Sequence, residues 1–199
     1  MRPVVAAHHP RARPLVCREA RTPVEVADHH AIRHRVFVEE QAIFDGSDRD
    51  DRDGVAVKLV GYLDGVPAGS VRLFEVDGRS GLWQGDRLAV LPAHRLSGLG
   101  APLVWCAVAV AGARGGATMV AHIQLANVPF FARLGWAVVG EVETYVGLPH
   151  QPMAIALPGV EQGAALARQL ADGVEEPLRW QAQRASPVTP VTRRSSTVA

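Results

Sequence analysis

Cysteine is scarce in this chain: Cys17 and Cys106 are the two present among 199 residues. Set far apart, they form neither a metal-ligand spacing nor the disulfide framework of a small secreted domain, and they read as reduced, mostly buried thiols. Lysine is scarcer still, Lys58 standing alone. Arginine carries the rest of the positive charge, which, with abundant Ala, Gly and Val, reflects base composition more than function. Excess charge is missing too: a net charge of +1 gives no reason to expect nucleic acid as the main partner. No apolar segment follows the Arg- and His-containing N-terminus as a secretory signal would require. The longest apolar stretch, residues 99–113, is interrupted by Gly100 and Pro102 and falls short of the roughly 20 residues of a membrane span. A soluble cytoplasmic protein with no membrane partner is the expectation. What is present, 48% apolar residues, suffices for one well-buried domain.

Residues 1–14 mix His, Arg and Pro without periodicity and are expected to be a mobile leader. A short strand fits residues 15–18. Thr22-Pro23 followed by Glu25 is a helix start with Thr22 as N-cap. Val26, His30, Arg33 and Phe37 then recur at helical spacing, predicting a helix over 24–39. His30 and His34 lie one turn apart, but no third metal ligand is evident, so His29, His30 and His34 read as surface histidines. Residues 45–54 are turn-rich and acidic. Arg52 breaks the alternation that a calcium loop needs, so a solvated loop facing a cationic substrate is expected.

Strands over 55–63 and 68–76 flank the hairpin signal Asp64-Gly65. Leu88–Leu91 is a further strand, Pro92 opens a turn, and Gly98 and Gly100 punctuate the loop before a helix over 102–113 that is apolar all round. A strand over 118–123 follows, then a short helix over 124–134 with Asn127 as N-cap. A strand over 136–146 bent at Gly140, a connection over 147–150 and a last strand over 153–157 complete the compact part, 15–158. Residues 159–199 hold an appended helix over 160–171 and, from Glu175, a tail whose Pro, Ser, Thr and Arg content predicts disorder. Trp180 in that tail suits an anchor on the body or a contact in a homodimer. An antiparallel first half followed by β-α-β crossovers predicts a mixed α/β sheet with helices on both faces.

The stretch from Arg87 to Val104 organises the rest. A strand that passes through a small-residue loop into a helix directs N–H groups and the positive end of the helix dipole at one spot, which suits phosphate oxygens. A nucleotide-hydrolysing P-loop needs Lys-Ser/Thr after the last glycine, where Ala101-Pro102 stands instead. The three spaced glycines and later acid of a dinucleotide fold are also missing.

What remains is Arg95-x-x-Gly98-x-Gly100 after Leu88-Ala89-Val90-x-Pro92. It resembles the acetyl-coenzyme A loop of the GNAT superfamily of N-acetyltransferases. Asn127-Val-Pro-Phe-Phe131-Ala-Arg-Leu-Gly-Trp136 resembles that superfamily's later helix, at a matching distance. Arg35-Val-Phe37-x-x-Glu40-Gln41, Arg72, Gln124 and Gly147-x-Pro-His150-x-x-Met153 are similar to the bacterial nitrogen-starvation-associated branch. The resemblance implies a mostly antiparallel sheet of about six to seven strands, splayed in the middle, with helices on both faces.

It also implies a site. Backbone groups of Leu88, Ala89 and Val90 would meet the pantetheine arm of acetyl-CoA, and Arg95 with the amides of Leu96, Ser97, Gly98, Leu99, Gly100 and Ala101 the pyrophosphate. Asn127 would lie along the pantetheine and Phe131 near the sulfur. Arg35, Phe37, Gln41, Arg72 and Gln124 would shape the place of a small-molecule amine. An alkyl ammonium must lose a proton to attack a thioester, and the Val90 amide could receive the oxyanion. His150, His122, Glu40 and Asp86 are the candidate bases, the histidines because imidazole titrates near neutrality. Phe131 departs from the family: many relatives carry tyrosine there, and a phenyl ring donates no proton.

Two other readings compete with acetyl transfer to an amine. Arg35, Phe37, Asp53 and Arg72 also resemble acyl-homoserine-lactone synthases, which usually lack the glycine loop. Phe131 would equally suit a non-catalytic acyl-CoA-binding module.

Overall fold

The computed structural model describes residues 15–78 and 80–174; the expected leader and the tail with Trp180 lie outside them. Local chemistry starts the first helix. The Thr22 hydroxyl accepts from the Glu25 amide at 3.2 Å and the Glu25 carboxylate accepts from the Thr22 amide at 2.9 Å, a reciprocal cap in front of Pro23. Three backbone and hydroxyl hydrogen bonds and Arg18 hold the Glu25 carboxyl down at about 2. After β1 (Leu15–Glu19), α1 spans Pro23–Arg33 and passes into a π-helical segment, His34–Glu40. The expected single helix is therefore two: Gln41 N–H bonds Val36 O at 2.9 Å, five residues back, and the widened turn brings both Val36 and Phe37 into the core.

β2 (Val57–Leu63) and β3 (Val66–Glu75) turn at Asp64-Gly65, both with positive φ, as a two-residue primed hairpin requires. β4 (Leu82–Val90) leads through a 3-10 turn, Pro92–Ser97, to α2 (Gly100–Ala113), and β5 spans Thr118–Gln124. The second short helix divides into a 3-10 turn, Leu125–Asn127, and α3 (Val128–Arg133). In place of one strand over 136–146 there are two short ones, β6 (Ala137–Val138) and β7 (Glu143–Tyr145). β8 (Leu148–Ala156) starts earlier than expected, so His150 stands on a strand and not in a connection.

The strands make one eight-stranded sheet in the order β1-β2-β3-β4-β5-β8-β6, with β7 also on β8. Breaking the expected strand accounts for the count above six to seven. Every pairing is antiparallel except β4 with β5. One face carries α1 and the π segment, whose Ile32, Val36 and Phe37 share a core with Val60 and Tyr62 of β2 and Ala89 of β4. The other carries α2, whose flanks are buried all round because α4 (Val160–Asp172) covers its outer side. At Gly163 an added Cβ would lie 2.6 Å from the Ala113 nitrogen, so the α2–α4 contact runs backbone to backbone. Val174 then bonds Leu15 across β1. Among the described residues no helix is long and apolar enough to cross a membrane.

Candidate active site

The site begins where the one parallel pairing stops. β4 and β5 are in register only from Leu82–Thr118 to Gln84–Val120; beyond Gln84 they part. Across β4 the register with β3 slips, Ser70 facing Ala89 while Arg72 faces Asp86. This bulge adds one residue to β4 at Arg87, whose φ of 51° is positive for a non-glycine. Bulge and parting open a cavity of about 140 Å³. Its inner wall is apolar, with Val71, Val104, Ala107, Met119, Ala121 and Trp136; its polar groups include Gln41, Gln124, Asn127, His122, Tyr145 and His150.

Strand alternation decides which β4 backbone groups face the opening. Leu91 N–H bonds Ala68 O on β3 at 2.9 Å, so the amide of Val90 points the other way, into the parting, where Val90 O also receives Arg95 Nε at 3.3 Å. Leu88 shares that side and lines the cavity. Ala89 is corrected: its carbonyl faces β3, 3.0 Å from where a Gly69 Cβ would stand, and its side chain is buried under α1.

Downstream, Gly98 adopts φ 82° with open space around it, a conformation for which glycine lacks the steric penalty. Leu99 then precedes α2 with no side-chain cap on the helix start, leaving the first-turn N–H groups of Gly100 and Ala101 to an anion. Ser97 Oγ donates to His94 O at 2.6 Å and accepts from Leu99 N–H at 3.3 Å, which shapes the loop. The Leu96 side chain is fully exposed and that of Leu99 fully buried, so Leu99 can offer a ligand only its backbone. Asn127 lines the cavity without capping α3 through its side chain. Phe131 is buried, edge-on to Phe130 and Trp136.

The two histidines differ in what their nitrogens do. His150 Nδ1 is 2.9 Å from Leu148 O. A carbonyl only accepts, so Nδ1 carries the hydrogen and Nε2 the lone pair. His122 Nε2 is 2.7 Å from a Glu143 carboxylate oxygen and so carries a hydrogen, while its Nδ1 is buried without a partner. Tyr145 lies against both rings, stacked on His122 at 4.2 Å and edge-on to His150 at 5.5 Å. Neither Glu143 nor Tyr145 stands out in the sequence; the Val146-Gly147 turn signal that pairs β7 with β8 was the available clue.

Several expected site residues lie elsewhere. Glu40 is not a base candidate: Arg95 Nη2 meets it at 2.7 Å, and that hydrogen bond holds its carboxyl below the usual range. Arg35 points outward and pairs with Glu39. Arg72 is 1% exposed and bonds Asp50, Asp53 and Asp86 at 2.5–2.9 Å, so it is no substrate ligand and Asp86 no free base. The acidic loop is likewise not simply solvated. Asp48 is buried and bonds Arg33 at 2.6 Å; Arg87 lies 3.3 Å from Asp48 and stacks over Phe44. Burial opposes ionisation of Asp53, but hydrogen bonds from Arg33 and the Asp50 amide outweigh it and hold its carboxyl well below the usual range. His29 is also buried, not a surface residue. Among the described residues no three His, Cys, Asp or Glu side chains cluster as metal ligands. Phe37, Gln41 and Gln124 do meet at the cavity, the two glutamines hydrogen-bonded at 3.3 Å.

Comparison with known proteins agrees with this geometry. Residues 18–136 match the model of the acetyltransferase (GNAT) family. The chain is 31% identical over 136 residues to the uncharacterized N-acetyltransferase YjcF of Bacillus subtilis, covering 67% of this chain and 94% of that one. A Lactobacillus plantarum crystal structure described as an N-acetyltransferase superposes with a TM-score of 0.66 at 25% identity, covering 72% of this chain and 99% of that one. The CoA-dependent acyl-homoserine lactone synthase BjaI, solved with SAM and isopentyl-CoA, shares the fold with a TM-score of 0.60 at 16% identity, covering 79% and 89%. With a parted parallel strand pair, an uncapped helix start behind a left-handed glycine and a family match over most of the body, the chain belongs to the acetyltransferase (GNAT) family.

Proposed function

We propose that this protein transfers an acetyl group from acetyl-CoA to the amine of a small molecule by direct attack. The observation that carries the reading is the parting of β4 from β5 beyond Gln84, which leaves the Val90 amide on the open side of β4, the side from which Leu88 lines a cavity that also holds His122 and His150. The donor is a substrate here. The backbone of Leu88 and Val90 would run along its pantetheine as a strand added to a sheet edge, with Asn127 beside it. Arg95 and the Leu96–Ala101 loop would hold the pyrophosphate. His150 is the base the geometry favours, its Nε2 lone pair unclaimed while both His122 nitrogens are enclosed. The Val90 N–H would stabilise the oxyanion. Phe37, Gln41 and Gln124 would contact the acceptor.

A specific observation supports a second donor. An acetyl group ends in one methyl, whereas the apolar wall continues through Val71, Ala107, Met119 and Ala121; a longer acyl-CoA fits that wall. Calorimetry with acetyl-CoA should give a dissociation constant of about 10–100 μM, the ordinary range of a metabolite site. Thiol release with an amine library, across acyl chains of increasing length and with product masses measured, then identifies donor and acceptor. Binding without any turnover would favour a non-catalytic acyl-CoA module, and no binding would end the proposal.

A further inference from the structure

The acyl-transfer reading leaves the departing thiolate without an acid, because Phe131 has no proton to give. Among the described residues lining the cavity, Tyr145 is the one with a hydroxyl. Its position is built. Val146 and Gly147 turn β7 into β8 with φ of 45° and 77°; a β-branched residue rarely adopts such a φ, and local strain of this kind persists where surrounding contacts hold it. Glu143 stands two residues before Tyr145 on a three-residue strand, hence on the same side. Its bond to His122 ties β7 to β5 through side chains. His122, flat against the phenol ring, has one nitrogen spent on Glu143 and the other sealed. This imidazole holds a ring and presents no lone pair to a substrate.

Resting on the acyl-CoA reading, we propose that Tyr145 is the proton donor to the leaving sulfur and that Glu143 and His122 are positioning residues for it. The amine nitrogen forms a bond to the thioester carbonyl carbon. The oxyanion's electron pair re-forms the carbonyl as the C–S bond breaks, and the Tyr145 hydroxyl proton passes to sulfur. The proton lost by the amine goes to His150 Nε2 and returns to the phenolate from the ring that stands against Tyr145. Amine and thioester become amide and free thiol, with no other reactant.

Leaving-group dependence tests this. Wild type and Tyr145→Phe are compared with acetyl-CoA and with 4-nitrothiophenyl acetate, whose thiolate leaves unprotonated. Removing a general acid should lower kcat for acetyl-CoA by about 10²–10³-fold and leave the activated ester within about threefold. Glu143→Gln should show the same selective loss, about tenfold, with Glu143→Asp partly restored. Adding Phe131→Tyr to Tyr145→Phe should recover acetyl-CoA turnover. Equal losses with both esters, or none with either, overturn the assignment, as does a double variant no better than the single one in a protein that still binds CoA normally. Should Tyr145→Phe fail to fold, the selective loss in Glu143→Gln decides. A wild type inert towards both esters removes the acyl-transfer reading and this assignment with it; an active wild type with an unaffected Tyr145→Phe removes the assignment alone.

Discussion

Arg95 Nη2 lies 2.7 Å from Glu40 Oε2, so the arginine beside the glycine loop is held by the last residue of the π-helical segment. A pyrophosphate reaching that loop competes with Glu40 for the same guanidinium. Glu40→Gln should therefore tighten acetyl-CoA binding by about two- to fivefold, and Arg95→Gln should weaken it by about tenfold, charge-assisted contacts to phosphate being the stronger kind. Calorimetry at low and physiological salt checks both; weaker binding in Glu40→Gln would show that the two groups cooperate.

Arg72 sits between Asp50, Asp53 and Asp86 and is almost fully buried. Burial disfavours its charge, but its hydrogen bonds to Asp86 and Asp50 more than offset this and raise its pKa. Arg72→Leu leaves those carboxylates uncompensated, which should cost about 3–5 kcal/mol, or a fall in Tm of roughly 6–20 °C. A raised KM with unchanged Tm would return Arg72 to the substrate site.

His29 makes stability depend on pH. Its Nδ1 faces Leu59 O and its Nε2 meets Arg33; burial, then the Arg33 charge, brings its pKa down to about 3. The unfolded imidazole, near 6.5, binds a proton that the folded one refuses. Stability thus falls as pH drops from about 6.5 towards 3, by up to about 1.4 kcal/mol per pH unit for this group. The lowered pKa of His30 acts with the same sign. Urea unfolding between pH 7.5 and 5.5 should show the slope, and His29→Asn should reduce it. The Asp50 and Asp53 contributions, whose pKa values are lowered, vanish only below the ordinary carboxylate pKa of about 4.

Gly163 places α4 against α2 with no room for a methyl group: a Cβ there would stand 2.6 Å from Ala113 N and 2.7 Å from Ala109 O. Backbone cannot step aside as a flexible side chain would. Gly163→Ala should destabilise by about 1–3 kcal/mol and lower Tm by roughly 2–12 °C, measured by thermal unfolding. No change would mean that α4 docks loosely.

The sequence by itself determined what neighbouring residues decide. Thr22, Pro23 and Glu25 are close enough to cap a helix unaided, Asp64-Gly65 can turn a hairpin unaided, and Gly98 supplies the left-handed residue before α2. The strand, loop and helix around the proposed phosphate site were legible for that reason, and with them the family. Even the parting of β4 was available only through that resemblance, because it depends on how β5 pairs with β8.

Tertiary structure decided which charges and rings meet. Residues 45–54 looked solvated because composition cannot announce that Arg33, Arg72 and Arg87, from a helix and two strands, converge on them. Alternation could set His122 and His150 on strand faces, yet which nitrogens are left to a substrate depends on Leu148 O, two residues from His150 on the same strand, and on Glu143, which β7 brings to His122 from another part of the chain. Tyr145 reaches the cavity through a β-branched residue at positive φ, a conformation that local preference argues against and packing imposes. Local chemistry wrote the loop of the proposed phosphate site; contacts between distant segments chose the groups that would move protons beside it.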